Sequence, residues 1–156
     1  MTTKKKVPLG RRRYLSRRMV VQALYQREVA GDSVTNLILQ FRPPEEMEDG
    51  RAHPDADLGY FQSVLQGVVD KESELREQIE AKIDRRWDQC DPVERSVMLM
   101  GCYELMNAME IPYRVVINEA VEQAKELGAD QSHKYINGVL DKLAQHSRKL
   151  EIKAGR

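Results

Sequence analysis

A chain of 156 residues is one domain by length, long enough to bury a core without disulfides or a structural metal. With 41% hydrophobic and 32% charged residues it reads as soluble and globular, and no apolar run reaches the roughly 20 residues of a membrane-spanning helix. The formal net charge of zero hides a split: residues 1–18 hold eight of the 25 basic side chains and no acid, which leaves 17 basic against 25 acidic beyond them.

The basic start, "KKKVPLGRRRYLSRRMVVQALYQ", places five arginines between Arg11 and Arg18. Residues 1–10 are expected to be a basic extension, and 11–156 a single helical domain. The first helix is predicted from Gly10 or Arg11 to Ala30, with Val20, Val21, Leu24 and Tyr25 on a shared face and Gly31 as its stop. A short helix over Val34–Phe41 follows, capped by Asp32 or Ser33 and ended by Pro43–Pro44. The stretch "PPEEMEDGRAHPDAD" has no apolar period and reads as a solvated, mobile loop.

Beyond it, Leu58, Phe61 and Leu65, then Leu75, Ile79, Ile83 and Trp87 in four-residue steps, predict one long helix from about Asp57 to Trp87. "DPVE" puts Asp91 at an N-cap, Pro92 at the first helical position and Glu94 at the third. The following "SVMLMGCYELMNAM" is apolar almost all round, as a helix buried by several neighbours would be. Pro112 breaks it; Val116, Ile117, Ala120, Val121, Ala124 and Leu127 stripe the next helix up to Gly128. The last opens near Asp130 or Ser132, with Ile136, Val139, Leu140 and Leu143 inward. The expected class is all-α, a compact bundle of six to seven helices.

An enzyme lacks parts here. There is no glycine-rich phosphate loop and no HExxH motif, and His53, His133 and His146 lie in separate segments, so no catalytic residue, metal or cofactor is expected. Cys90 and Cys102 have no CxxC spacing, and no secretory apolar region follows the basic start, which fits a reducing cytoplasm. The arginine run carries the stronger signal. Guanidinium groups hold phosphate by paired hydrogen bonds and release counterions on binding nucleic acid. On a helix, Arg13 and Arg17 are four apart and Arg11 and Arg18 seven apart, flanking a Tyr14 that could stack on an unpaired base. Composition alone leaves a solvated arm, a targeting segment and a lipid-surface anchor as alternatives.

The C-terminal half narrows the choice. "VINEAVEQAKELGADQSHKYINGVLDKLA", residues 116–144, resembles the signature region of the NusB transcription antitermination family; "RSVMLMGCYELM" with "IPYRVVINEA", and "RRMVVQALYQRE", resemble its other helices. The resemblance implies an all-helical fold of two subdomains and no catalysis. It implies binding of boxA-type RNA in ribosomal-RNA leader transcripts together with NusE, a small-subunit ribosomal protein, and action with other Nus factors on RNA polymerase. The family's basic motif falls on Arg11, Arg12, Arg13 and Arg17, its aromatic on Tyr25, and its NusE-facing surface on Glu94, Arg95, Gln131, Lys134 and Tyr135.

Gln131 stands where well-studied members carry Asp, and Leu99 replaces a common arginine. Asn118 and Asn137 are expected as satisfied buried amides and Gly138 as a point of close helix packing. Two other readings follow from the same residues. In one, the chain is the NusB-like domain of a ribosomal-RNA cytosine methyltransferase, which a chain ending at Arg156 is expected to be too short to be. In the other it is an acidic scaffold for a basic ribosomal protein.

Overall fold

The structure is a computed structural model and describes residues 6–155, so Lys4 and Lys5 of the basic run lie outside the described residues. Eight α-helices are present among them: α1 (Leu9–Ala30), α2 (Val34–Gln40), α3 (Leu58–Asp70), α4 (Glu72–Glu80), α5 (Pro92–Asn107), α6 (Tyr113–Leu127), α7 (Ser132–Ser147) and α8 (Lys149–Lys153). No strand occurs among the described residues. Helix α1 already includes Leu9 and Gly10, so the expected extension ends in helix.

Helix α5 is the axis. Val97, Met98, Met100 and Leu105 are fully buried, because α1, α3 and α4 as well as α6 and α7 all pack against α5. The two helical groups therefore share one core, with α5 belonging to both. Its start is fixed by a reciprocal cap: Asp91 Oδ1 accepts from the Glu94 amide at 2.8 Å, and Glu94 Oε1 from the Asp91 amide at 3.0 Å. Helix α3 approaches α5 closely at Gly67, where a Cβ would lie 2.3 Å from the Tyr103 ring.

The single long helix expected over 57–87 is two helices and a turn. Lys71 leaves helical geometry at φ −111°, ψ 15°, α4 stops at Glu80, and Trp87–Gln89 forms a 3₁₀ turn. The reason lies in the spacing. Strict four-residue steps rotate about 40° per step on a 3.6-residue helix, so the stripe drifts off any straight neighbour. Ile83 and Trp87 accordingly fall beyond the end of α4, whereas Leu75 and Ile79, the first two members of the stripe, are fully buried.

The expected mobile loop is tied down instead. Arg51 and Ala52 amides donate to Gln40 and Arg42 carbonyls at 2.9 and 3.2 Å, and Ser16 Oγ bonds both the Asp57 amide and carbonyl. Ala52 and Ala56 are buried. At the other end, Arg148 is buried and donates to the carbonyls of Glu104, Leu105, Ala108 and Ile111, closing the C-terminus of α5. Asn118, Asn137 and Gly138 are exposed, not internal, and a Cβ on Gly138 would meet nothing within 4 Å. Their motif positions face outward because the α6 and α7 stripes already fill the inner faces with Val116, Ile117, Ile136, Val139 and Leu140.

Candidate nucleic-acid interface

Helix α1 carries two kinds of arginine. Arg17 is 3% exposed, and its guanidinium meets Glu104 of α5 through Nε at 2.9 Å and Nη2 at 2.9 Å. Tyr60 of α3 donates a short hydrogen bond to Glu104 Oε2, and Arg17 Nη2 donates to the Tyr60 hydroxyl at 3.3 Å. Burial works against the charge on Arg17, but the hydrogen bonds and the carboxylate of Glu104 hold its pKa above the ordinary value. Tyr60 is raised as well, by burial and by the same carboxylate. Glu119 of α6 lies 3.8 Å from Arg17, and burial raises its pKa against the pull of that guanidinium.

Arg17, expected on the RNA surface, is thus drawn into the core. It sits one turn from Arg13 on the side of α1 that packs on α3 and α5, where Glu104 offers a fork-to-fork partner. Arg13 is intermediate: half-buried, its guanidinium 4.6 Å from the centroid of the Tyr60 ring.

The outward face of α1 is different. Arg11, Tyr14, Arg18, Gln22, Tyr25 and Val29 follow three- and four-residue steps and form one stripe along the helix, with each member exposed or half-buried. Arg11 and Arg18 flank the Tyr14 ring at 5.4 and 5.2 Å. Arg18 Nη2 donates to the Tyr14 hydroxyl at 2.6 Å, and both residues reach Glu126 of α6 at 3.3 Å. Tyr25, placed with the inward residues by the sequence pattern, is 42% exposed. No carboxylate pairs with Arg11, Arg12 or Arg13 among the described residues. The first turn of α1 contains no acid, so these cations sit at the positive end of the helix dipole, which disfavours them unless an anion is bound there.

The residues expected to face a protein partner gather where α5 and α7 begin. Glu94 is buried and committed to its cap, while Arg95 donates short bonds to the Cys90 carbonyl and to Glu28 of α1. Gln131 and Lys134 are exposed. Gln131 holds φ 72°, a left-handed conformation that Asn and Asp accept more readily than Gln. Tyr135 is half-buried under the guanidinium of Arg85, 3.8 Å from its ring centroid, and burial beside Cys90 raises its hydroxyl to about 12. Val93, next to Glu94, borders the same cleft as Tyr25, so the start of α5 adjoins the end of the α1 stripe.

The sequence reading did not single out Tyr60, Glu104 or Gln22. Gln22 was legible as the next step of the Arg11–Arg18 stripe. Glu104, an acid within an otherwise apolar helix, signalled a buried partner without saying which arginine.

A profile of the NusB family matches residues 15–145. The chain belongs to the NusB family. It is 48% identical over 133 residues to the transcription antitermination protein NusB of Halorhodospira halophila, covering 85% of this chain and 81% of that one. It is 46% identical over 136 residues to the NusB of Hydrogenovibrio crunogenus, covering 87% and 81%. Among solved structures it is similar to NusB of T. maritima, with a TM-score of 0.77 at 25% identity over 94% of this chain and 99% of that one. A chain of a crystal structure of antitermination factors NusB and NusE in complex with double-stranded RNA has the same fold, with a TM-score of 0.73 at 23% identity over 86% and 97% of the two chains. The NusB helical fold thus presents, in this member, an outward stripe of arginine and tyrosine on its first helix.

Proposed function

We propose that this chain is a non-catalytic antitermination factor that binds boxA-type single-stranded RNA of ribosomal-RNA leaders together with NusE, and that it works in the cytoplasm with other Nus factors on RNA polymerase. In this reading residues 11–156 act as one helical domain, extended at its start by a basic segment. The observation that carries it is the α1 stripe: guanidinium groups without acid partners at its start, then an exposed tyrosine, on a molecule that is acidic elsewhere. Arg11, Arg12 and Arg13 supply phosphate contacts, while Tyr14 and Tyr25 offer ring faces to unstacked bases. Glu94, Arg95, Gln131, Lys134 and Tyr135 form the surface offered to NusE, Glu94 acting by holding the start of α5 in place.

Fluorescence anisotropy of a labelled boxA-type RNA, with and without NusE and at several salt concentrations, tests the reading. Binding should be tighter for boxA than for a scrambled RNA, and NusE should strengthen it. Equal affinity for both RNAs, steeply dependent on salt, would reduce the stripe to a polycation.

A further inference from the structure

The stripe on α1 ends in a cleft of about 450 Å³. Its lining includes Gln22, Tyr25 and Val29 of α1, Val93 of α5, Leu127 of α6 and, from the tied-down loop, Arg51. That loop lies outside the motifs that carry the sequence resemblance, yet its arginine is mounted firmly. The Arg51 amide donates to the Gln40 carbonyl at 2.9 Å, its guanidinium lies 4.6 Å from the Phe41 ring centroid, and Nη1 donates to Gln26 Oε1. Nε and Nη2 bond no other group among the described residues, so the guanidinium is oriented but not neutralised.

The walls are therefore an exposed tyrosine ring, the aliphatic side chains of Val21, Val29, Ala30, Val93 and Leu127, the amides of Gln22 and Gln26 and one cation, and no carboxylate lines the cleft. This is the chemistry that takes an unstacked base: a ring to lie on, a dry edge, an amide for its polar edge and a fork for the phosphate beside it. The cleft also continues the arginine track. Arg11 and Tyr25 lie on the same side of α1, 14 residues or about 21 Å apart.

Resting on the RNA-binding reading, we propose that this cleft seats one extruded nucleotide of the bound single strand, stacked on Tyr25, and that Arg51 contacts its phosphate and holds the strand in register over the cleft. The loop after α2 thereby adds to the RNA site a residue that the family's basic motif does not contain.

The test is anisotropy titration of a labelled boxA-type single strand, and of a set in which each nucleotide in turn lacks its base, against wild type, Arg51→Ala, Arg51→Lys and Tyr25→Ala. Melting curves serve as the control for folding. Arg51→Ala should weaken binding several-fold and lower the log–log salt slope by about 0.7, while Arg51→Lys keeps the slope. One abasic position should cost wild type at least about five-fold and cost Tyr25→Ala little, because the stacked base is then already without its ring. Wild-type affinity in Arg51→Ala, with Arg11→Ala still impaired, overturns the cleft proposal and leaves the RNA reading standing. Weakened NusE association with unchanged RNA affinity assigns the cleft to a protein side chain and also overturns it. Failure of wild type to bind any single strand, with or without NusE, overturns both. Should Arg51→Ala not fold, the abasic series on wild type and Tyr25→Ala decides alone.

Discussion

Arg11 and Arg17 stand six residues apart in one basic run, and the fold gives them opposite work. Arg11 is exposed at the positive end of a helix with no carboxylate to meet it, whereas Arg17 is held by Glu104 and Tyr60 beneath α3 and α5. Six residues on an α-helix turn through about 600°, which places the two side chains far apart around the axis. A run of like charges is therefore not one functional unit: its members on the inner face are bought by the core, and only those on the outer face remain for a ligand.

The sharpest way to break this contrast is to remove one half of the buried pair. Arg17→Met leaves Glu104 charged and uncompensated in the core, and urea unfolding should show a loss of about 3–5 kcal/mol. Adding Glu104→Leu should recover most of it, since a well-packed apolar pair is often as stable as a buried ion pair. RNA affinity lost at unchanged stability would instead place Arg17 among the RNA contacts. On the outer face the expectation reverses. Arg11→Ala with Arg12→Ala should leave the unfolding midpoint nearly unchanged, weaken RNA binding roughly ten-fold and lower the log–log salt slope by about 1.4, two single-strand phosphate contacts.

The helices were legible wherever one face had to be buried. The stripes at Val116–Leu127 and Ile136–Leu143, and the Asp91–Pro92–Glu94 start, are encoded by neighbours a few residues apart, and they stand as read. What was not legible depends on partners distant in sequence. The fate of Arg17 follows from an acid 87 residues away. Tyr25 shares the spacing of the inward residues, and only the position of α5 and α6 decides that it stays outside. Asn118, Asn137 and Gly138 belong to a recognisable motif but take no part in the packing, so a motif match did not say which side of the helix they occupy.

A smaller effect is expected at Gln131, on the side assigned to the protein partner. Its left-handed backbone costs a residue with a Cβ about 1 kcal/mol, and Gln131→Gly should return about that much in thermal or urea unfolding, provided the α7 start keeps its shape. If the variant is also weaker in NusE association, the side chain itself is a contact; unchanged association would assign the position a backbone role alone.

The smallest effect separates the two faces most directly, because it acts on the stripe without touching an arginine. Glu126 of α6 accepts from Tyr14 and pairs with Arg18, both at 3.3 Å, and so holds with its own carboxylate a guanidinium that would otherwise be open to an anion. The pair is about half exposed on the Glu126 side, so it contributes well under about 1 kcal/mol to stability. Glu126→Gln should leave unfolding within about 0.5 kcal/mol of wild type. It should tighten RNA binding a few-fold and steepen the salt slope by up to about 0.7, since Arg18 is then free to release a counterion on the strand. The equivalent change on the inner face, Glu104→Gln, removes the carboxylate that compensates Arg17 in the core and should destabilise the fold without tightening RNA. Tighter binding from Glu126→Gln alone would mean that the acidic body restrains its own RNA track, and that the two faces of α1 differ in what their acids are for: one holds the helix in place, the other competes with the ligand.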